Sequence, residues 1–154
     1  MDRTSRRYVE ALYPYGMVVA AGYVASKLSI TTPTYLDDKG ISLPSFFSNL
    51  LNVEFFAAGI MFSVFVFTMA PAAGFIAKLE RLGLYSRFRR YTLEAVALGV
   101  VGSALCIPLA IMTPMAMQKW PVPLLTVAAV GIAIGFFASV FRVVRIFYVW
   151  TKQV

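Results

Sequence analysis

The stretch WPVPLLTVAAVGIAIGFFASVF, from Trp120 to Phe141, contains no charged residue. A helix that crosses a membrane needs roughly 20 consecutive, mostly apolar residues, because the hydrocarbon core is about 30 Å thick and each helical residue rises about 1.5 Å. This stretch meets that requirement. So do Phe55 to Ala77 and Ala95 to Gln118, which are equally free of charge. A fourth stretch, Ala11 to Ser26, is shorter. It spans if Lys27 carries its ammonium out to the headgroups and the helix runs on to about Ile30. Arg3, Arg6 and Arg7 ahead of it also fit the start of a signal peptide. Pro14 and Tyr15 open the apolar part, however, and no clean small-x-small cleavage site follows, so a retained helix is expected.

Composition agrees with this reading. The chain has 154 residues, of which 60% are hydrophobic and 14% charged. Soluble domains hold nearer 45–50% apolar and about 25% charged residues, and a chain this small cannot enclose such an excess of apolar surface. The expected fold is all-α: a polytopic four-helix membrane bundle forming one transmembrane domain over 1–154. Its spans lie at about 11–30, 54–77, 93–117 and 121–145, with an outer loop at 31–52 and a cytoplasmic loop at 78–92.

The net charge of +7 is distributed as topology requires. Arg3, Arg6 and Arg7 precede the first span. Lys78, Arg81, Arg87, Arg89 and Arg90 lie between the second and third, and Arg142, Arg145 and Lys152 end the chain. Four spans put these eleven on one side and leave Lys27, Lys39 and Lys119 on the other. Basic residues stay with the cytoplasm, so both termini are expected on the cytoplasmic face of the membrane. The basic charge lies in flanks and a loop and not on a soluble module, so nucleic acid is not an expected partner.

The side-chain inventory excludes several chemistries. There is no histidine and one cysteine, Cys106. Haem ligation by His, the usual zinc sites, Ser-His triads and intrachain disulfides are therefore excluded. Asp37 and Asp38 stand in a polar turn without the further oxygen ligands that calcium needs. No catalytic, cofactor-binding or metal residue is assigned, no cofactor is expected, and the chain is not read as an enzyme.

Within the spans, three features stand out. Small residues recur every fourth position: Ala95, Gly99 and Ser103, then Gly131, Gly135 and Ser139, with Gly16 and Ala20 in the first span. Such ladders let helix backbones approach closely, either within the bundle or between subunits. Pro108 falls in the middle of the third span and frees the carbonyl of Ala104, which predicts a kink; Pro71 and Pro114 lie less centrally. Glu54 and Glu94 sit where the second and third spans are expected to begin. An intramembrane acid is a functional candidate, but a carboxylate in a first helical turn is also favoured by the helix dipole, and Glu94 can pair with Arg90.

Two flanking segments have amphipathic character. Leu43, Phe46, Phe47, Leu50 and Leu51 share a helical face after Pro44, giving either an interfacial helix or the first turns of the second span, with Asn52 as an alternative cap. The segment from Lys78 to Tyr91 mixes arginine, leucine and aromatic residues. Arg81, Arg87, Arg89 and Arg90 are expected to contact anionic lipid or a cytoplasmic partner. Arg142 and Arg145 are expected to snorkel from an aromatic belt of Phe141, Phe147, Tyr148 and Trp150. No row of polar residues threads any span, so a permeation path within one subunit is not encoded.

The short basic start, the turn Asp38-Lys39-Gly40, the run from Ser48 through Ala57-Ala58-Gly59 to Phe67-Thr68, and Ala77-Lys78-Leu79-Glu80-Arg81-Leu82-Gly83-Leu84-Tyr85 together resemble small four-span bacterial anti-phage membrane proteins. Those are the RexB-like phage-exclusion proteins and the membrane component of Kiwa systems. The likeness covers about the first two-thirds of the chain and transfers no catalytic residue. It implies an oligomeric effector or sensor in anti-phage defence, with membrane permeabilisation as one route of action. The alternative expectation is a non-catalytic structural or accessory subunit of a larger membrane complex. Either way, membrane lipids, further copies of the chain, and a cytoplasmic or membrane protein are the expected partners.

Overall fold

The computed structural model describes residues 12–13, 15–20, 22–24, 40, 42–69, 74–113 and 122–151. The basic residues Arg3, Arg6, Arg7 and Lys152, the Asp37-Asp38-Lys39 turn, Pro71 and Pro114 lie outside them. Four helices dominate: α1 (Leu43–Phe67), α2 (Gly74–Arg81), α3 (Tyr85–Ile111) and α4 (Val122–Thr151). A shorter apolar helical stretch, Tyr15–Val24, precedes them. Three helices are long and apolar enough to cross a membrane: α1, α3 and α4.

The first long helix begins eleven residues earlier than the sequence suggests. Its opening bond runs from the Phe46 N–H to the Ser42 carbonyl at 2.9 Å, and Pro44 sits in the first turn, where a missing N–H costs nothing. The amphipathic segment after Pro44 is therefore part of α1 and not a separate interfacial helix. Asn52 is exposed in mid-helix and caps nothing. At the other end α1 stops at Phe67, well short of Ala77. The Thr68 hydroxyl turns back to the Phe65 carbonyl at 2.6 Å, and the Tyr85 hydroxyl donates to the Thr68 carbonyl at 3.0 Å.

The segment expected as a loop over 78–92 is mostly helix. In α2, Ile76 and Leu79 are buried while Glu80 and Arg81 face outward. The helix closes with the Leu84 N–H on the Leu79 carbonyl and the Gly83 N–H on the Glu80 carbonyl, both 2.9 Å. This paired closure needs a left-handed residue, and Gly83 supplies it at φ 64°. α3 starts immediately afterwards, so Arg87, Arg89 and Arg90 belong to its first turns.

α3 is the centre of the bundle and packs against both α1 and α4. Its buried residues Phe88, Thr92, Ala95, Gly99, Gly102, Cys106 and Leu109 alternate steps of four and three, the spacing that holds one stripe against a neighbouring helix. On α1, Leu43, Phe47, Glu54, Ala58 and Met61 form the facing stripe. α4 runs antiparallel to α3: Phe88 meets the Phe147 ring edge-on at 5.2 Å, and Glu94 reaches Arg142. The N-terminal stretch lies on the other side of α4, where Val18 and Gly22 approach Gly131 and Val127. Gly16 and Ala20 of that stretch are exposed and take no part in the seam. Pro108 is accommodated in α3, which continues for three residues beyond it.

The outer surface is apolar. Phe55, Phe56, Phe62 and Phe67 of α1 are exposed, as are Val100, Val101, Ile107 and Ile111 of α3 and Leu124, Phe137 and Phe141 of α4. A soluble monomer rarely presents such continuous patches. In lipid this arrangement is the expected one, because a helix gains nothing by hiding its aliphatic side chains there.

Candidate functional site

Two polar features interrupt the apolar interior. The first is Glu54. It falls on the buried stripe of α1, four residues before Ala58 and seven after Phe47, and its exposure is 0%. The carboxylate fits because the facing residue on α3 is glycine. A Cβ at Gly102 would lie 2.7 and 2.8 Å from the two carboxylate oxygens. One turn further along α3, the Cys106 thiol donates to Oε2 at 3.7 Å. Oε1 has no hydrogen-bond partner among the described residues.

Glu54 is therefore not the first-turn acid expected from sequence. It is the twelfth residue of a 25-residue helix, near its midpoint. A helix dipole acts only within the terminal turn and offers nothing there. With α1 spanning a bilayer, this depth is close to the midplane, where an unpaired carboxylate costs about 3 kcal/mol or more.

Ser103 and Ser139 add two more buried hydroxyl oxygens without partners among the described residues. Nearby hydroxyls behave differently. Thr92 donates to the Phe88 carbonyl at 2.8 Å and Thr126 to the Val122 carbonyl at 3.0 Å, the usual way for a hydroxyl to be satisfied inside an apolar helix.

The second feature is an ion pair. Arg142 Nη1 donates to both carboxylate oxygens of Glu94, at 3.3 and 3.4 Å, and its guanidinium lies 4.7 Å from the centroid of the Tyr91 ring. The two side chains are only 10% and 13% exposed. Arg142 is thus a bundle residue and does not snorkel, and Glu94 pairs across to α4 and not with the exposed Arg90. Eight residues separate Glu94 from Gly102, about 12 Å along the α3 axis, so the two polar features are distinct layers.

The small-residue ladders lie inside the chain. Ala95, Gly99, Ser103, Gly131, Gly135 and Ser139 are all buried. At Gly99 a Cβ would stand 2.7 Å from Ala58 Cβ and 2.9 Å from Phe136 Cε2; at Gly131 it would stand 3.1 Å from Val18 Cγ1. Gly99 and Gly131 therefore make close helix contacts within the chain. The described basic residues gather at one end. Arg81, Arg89 and Arg90 are exposed and Arg87 is half-buried, and Arg89 lies 6.0 Å from the Phe65 ring centroid. The antiparallel run of α4 brings Arg142 and the exposed Arg145 to the same end. Phe88 and Leu79 of the same segment are fully buried in the bundle.

Among the described residues, no group of three or more His, Cys, Asp or Glu converges as a metal site. Glu54 and Cys106 place a carboxylate beside a thiol, and both are fully buried. Compared with family models, curated proteins and solved structures, the chain matches none.

Gly102 and Cys106 are the site residues a four-residue spacing overlooks. The heptad-like alternation from Phe88 to Leu109 is the signal that picks them out, because it places both on the same stripe as Gly99.

Proposed function

We propose that the chain is a bacterial plasma-membrane protein of four spans with both termini at the cytoplasmic face, and that it acts as an oligomeric effector or sensor in anti-phage defence. The observation that carries the membrane reading is the apolar exterior shared by α1, α3 and α4, with exposed phenylalanines around α1. The gathering of arginines at one end of the bundle supports the orientation, since that end would face the anionic cytoplasmic leaflet. The defence reading rests on the sequence likeness to small phage-exclusion proteins. Burial of Glu54 and Cys106 within the bundle supports action through the membrane or a partner.

The test is a phage challenge of cells expressing the chain with its neighbouring genes. The proposal predicts reduced plating efficiency against the empty vector, together with a complex larger than one copy by native mass spectrometry in nanodiscs. Unchanged plating across a broad phage panel, with co-purification of a constitutive membrane complex, would instead establish the accessory-subunit reading.

A further inference from the structure

Among the described residues, Glu54 is the acid with no exposure at all, and nothing around it is positively charged. From α3 the titratable group facing it is the Cys106 thiol, on Oε2. α4 has no charged residue between Val122 and Phe141, and Arg142 is engaged with Glu94 a separate layer away. In the N-terminal stretch, Tyr15 and Tyr23 are exposed. A single carboxylate beside a thiol lacks the several oxygens a metal cation needs. A proton needs only the carboxylate. Oε1, buried and without a partner among the described residues, is open to receive it.

We propose that Glu54 is a reversible proton-binding site inside the bundle, and that proton occupancy controls how closely α1 packs on α3. The proposal rests on the membrane-spanning reading above. The step is a simple exchange: the carboxylic acid releases one proton and leaves a carboxylate, with no other bond made or broken. The neutral acid is compatible with the closed seam, in which Gly102 leaves no room beyond the carboxyl itself. The carboxylate retains only a thiol donor. It therefore draws in water, which the closed seam has no space to hold, and α1 must separate from α3 at Gly102. A sensor of this kind responds to the proton supply at mid-membrane depth, which changes whenever the membrane is breached.

The full-length protein in lipid nanodiscs supplies the test, by infrared difference spectroscopy between acidic and alkaline buffer. The parent should show a protonated-carboxyl carbonyl band that fades as pH rises. The band should be absent from Glu54→Gln, retained in Glu94→Gln and shifted in Cys106→Ala, which removes the thiol contact. That shift assigns the band to Glu54 even if Glu54→Gln fails to fold. Maleimide labelling of Cys106, the sole cysteine, reads the seam: alkaline buffer should increase labelling in the parent and not in Glu54→Gln. A parent without a pH-dependent carboxyl band, or with one that persists in folded Glu54→Gln, overturns the proton site. Alkaline carbonate extraction separates the two levels. Release of the chain from membranes refutes the membrane reading, whereas a chain retained in membranes but lacking the band refutes the proton site alone.

Discussion

Replacing Gly99 with alanine should loosen the bundle, and the geometry sets the size of the effect. The added Cβ would lie 2.7 Å from Ala58 Cβ and 2.9 Å from Phe136 Cε2. Non-bonded carbons rest at about 3.5–4.0 Å, so the contact is short by about 1 Å. The Phe136 ring edge can move aside. Ala58 Cβ cannot, because it is fixed to its backbone, so α1 and α3 must part. Overpacking of this kind costs about 1–3 kcal/mol. Gly59→Ala provides the matched control. Nothing lies within 4 Å of its new methyl, and replacing a mid-helix glycine gains up to about 1 kcal/mol of helix propensity. The propensity gain is common to both mid-helix positions, so the two variants should differ by the overpacking alone, about 1–3 kcal/mol, with Gly99→Ala the less stable. Equilibrium unfolding in mixed micelles, followed by circular dichroism, measures the difference. Equal stability of the two would refute the claim that α1 and α3 touch at Gly99.

Other outcomes follow from the same contacts. Arg142→Met should destabilise by about 3 kcal/mol, because it strands Glu94 in a nearly sealed position, while Arg142→Met with Glu94→Leu should recover much of the loss; an additive double mutant in the same unfolding assay would show that the pair is not coupled. Gly135→Leu should disrupt the bundle and Leu124→Phe, on an exposed position of α4, should not, as read by thermal stability in nanodiscs. Replacing Arg87, Arg89 and Arg90 together with Gln should weaken the enrichment of anionic lipid around the protein in mixed-lipid nanodiscs, and replacement with Lys should restore it if charge alone matters; loss with Lys as well would identify the planar guanidinium as the requirement.

How much of this the sequence reveals depends on the kind of force involved. Long apolar runs announce membrane helices directly, and the three long helices contain the centres of the charge-free stretches. The ends are less legible. A search for charge-free windows stops at Glu54, yet α1 passes through it because Gly102, far along the chain, leaves space for its carboxyl. That accommodation is tertiary and has no local trace. Glu94 was legible as an acid needing a cation, but the nearby Arg90 masked the partner, Arg142, that antiparallel packing supplies. Steps of four along the ladder from Ala95 mark Gly99 and pass over Gly102 and Cys106. The loop over 78–92 concealed α2 because its leucines and arginines suit a lipid surface and a short amphipathic helix equally well. Gly83, with its left-handed backbone, is the residue that distinguishes the two.

The central claim is that these helices cross the membrane with the arginine-rich end inside. Alkaline phosphatase, which is active only outside the cytoplasm, tests it most directly when fused after Gly40 and after Val154 in separate strains. The Gly40 fusion should be active and the Val154 fusion inactive at equal expression. Activity at Val154, or silence at Gly40, would contradict this orientation of the three long helices.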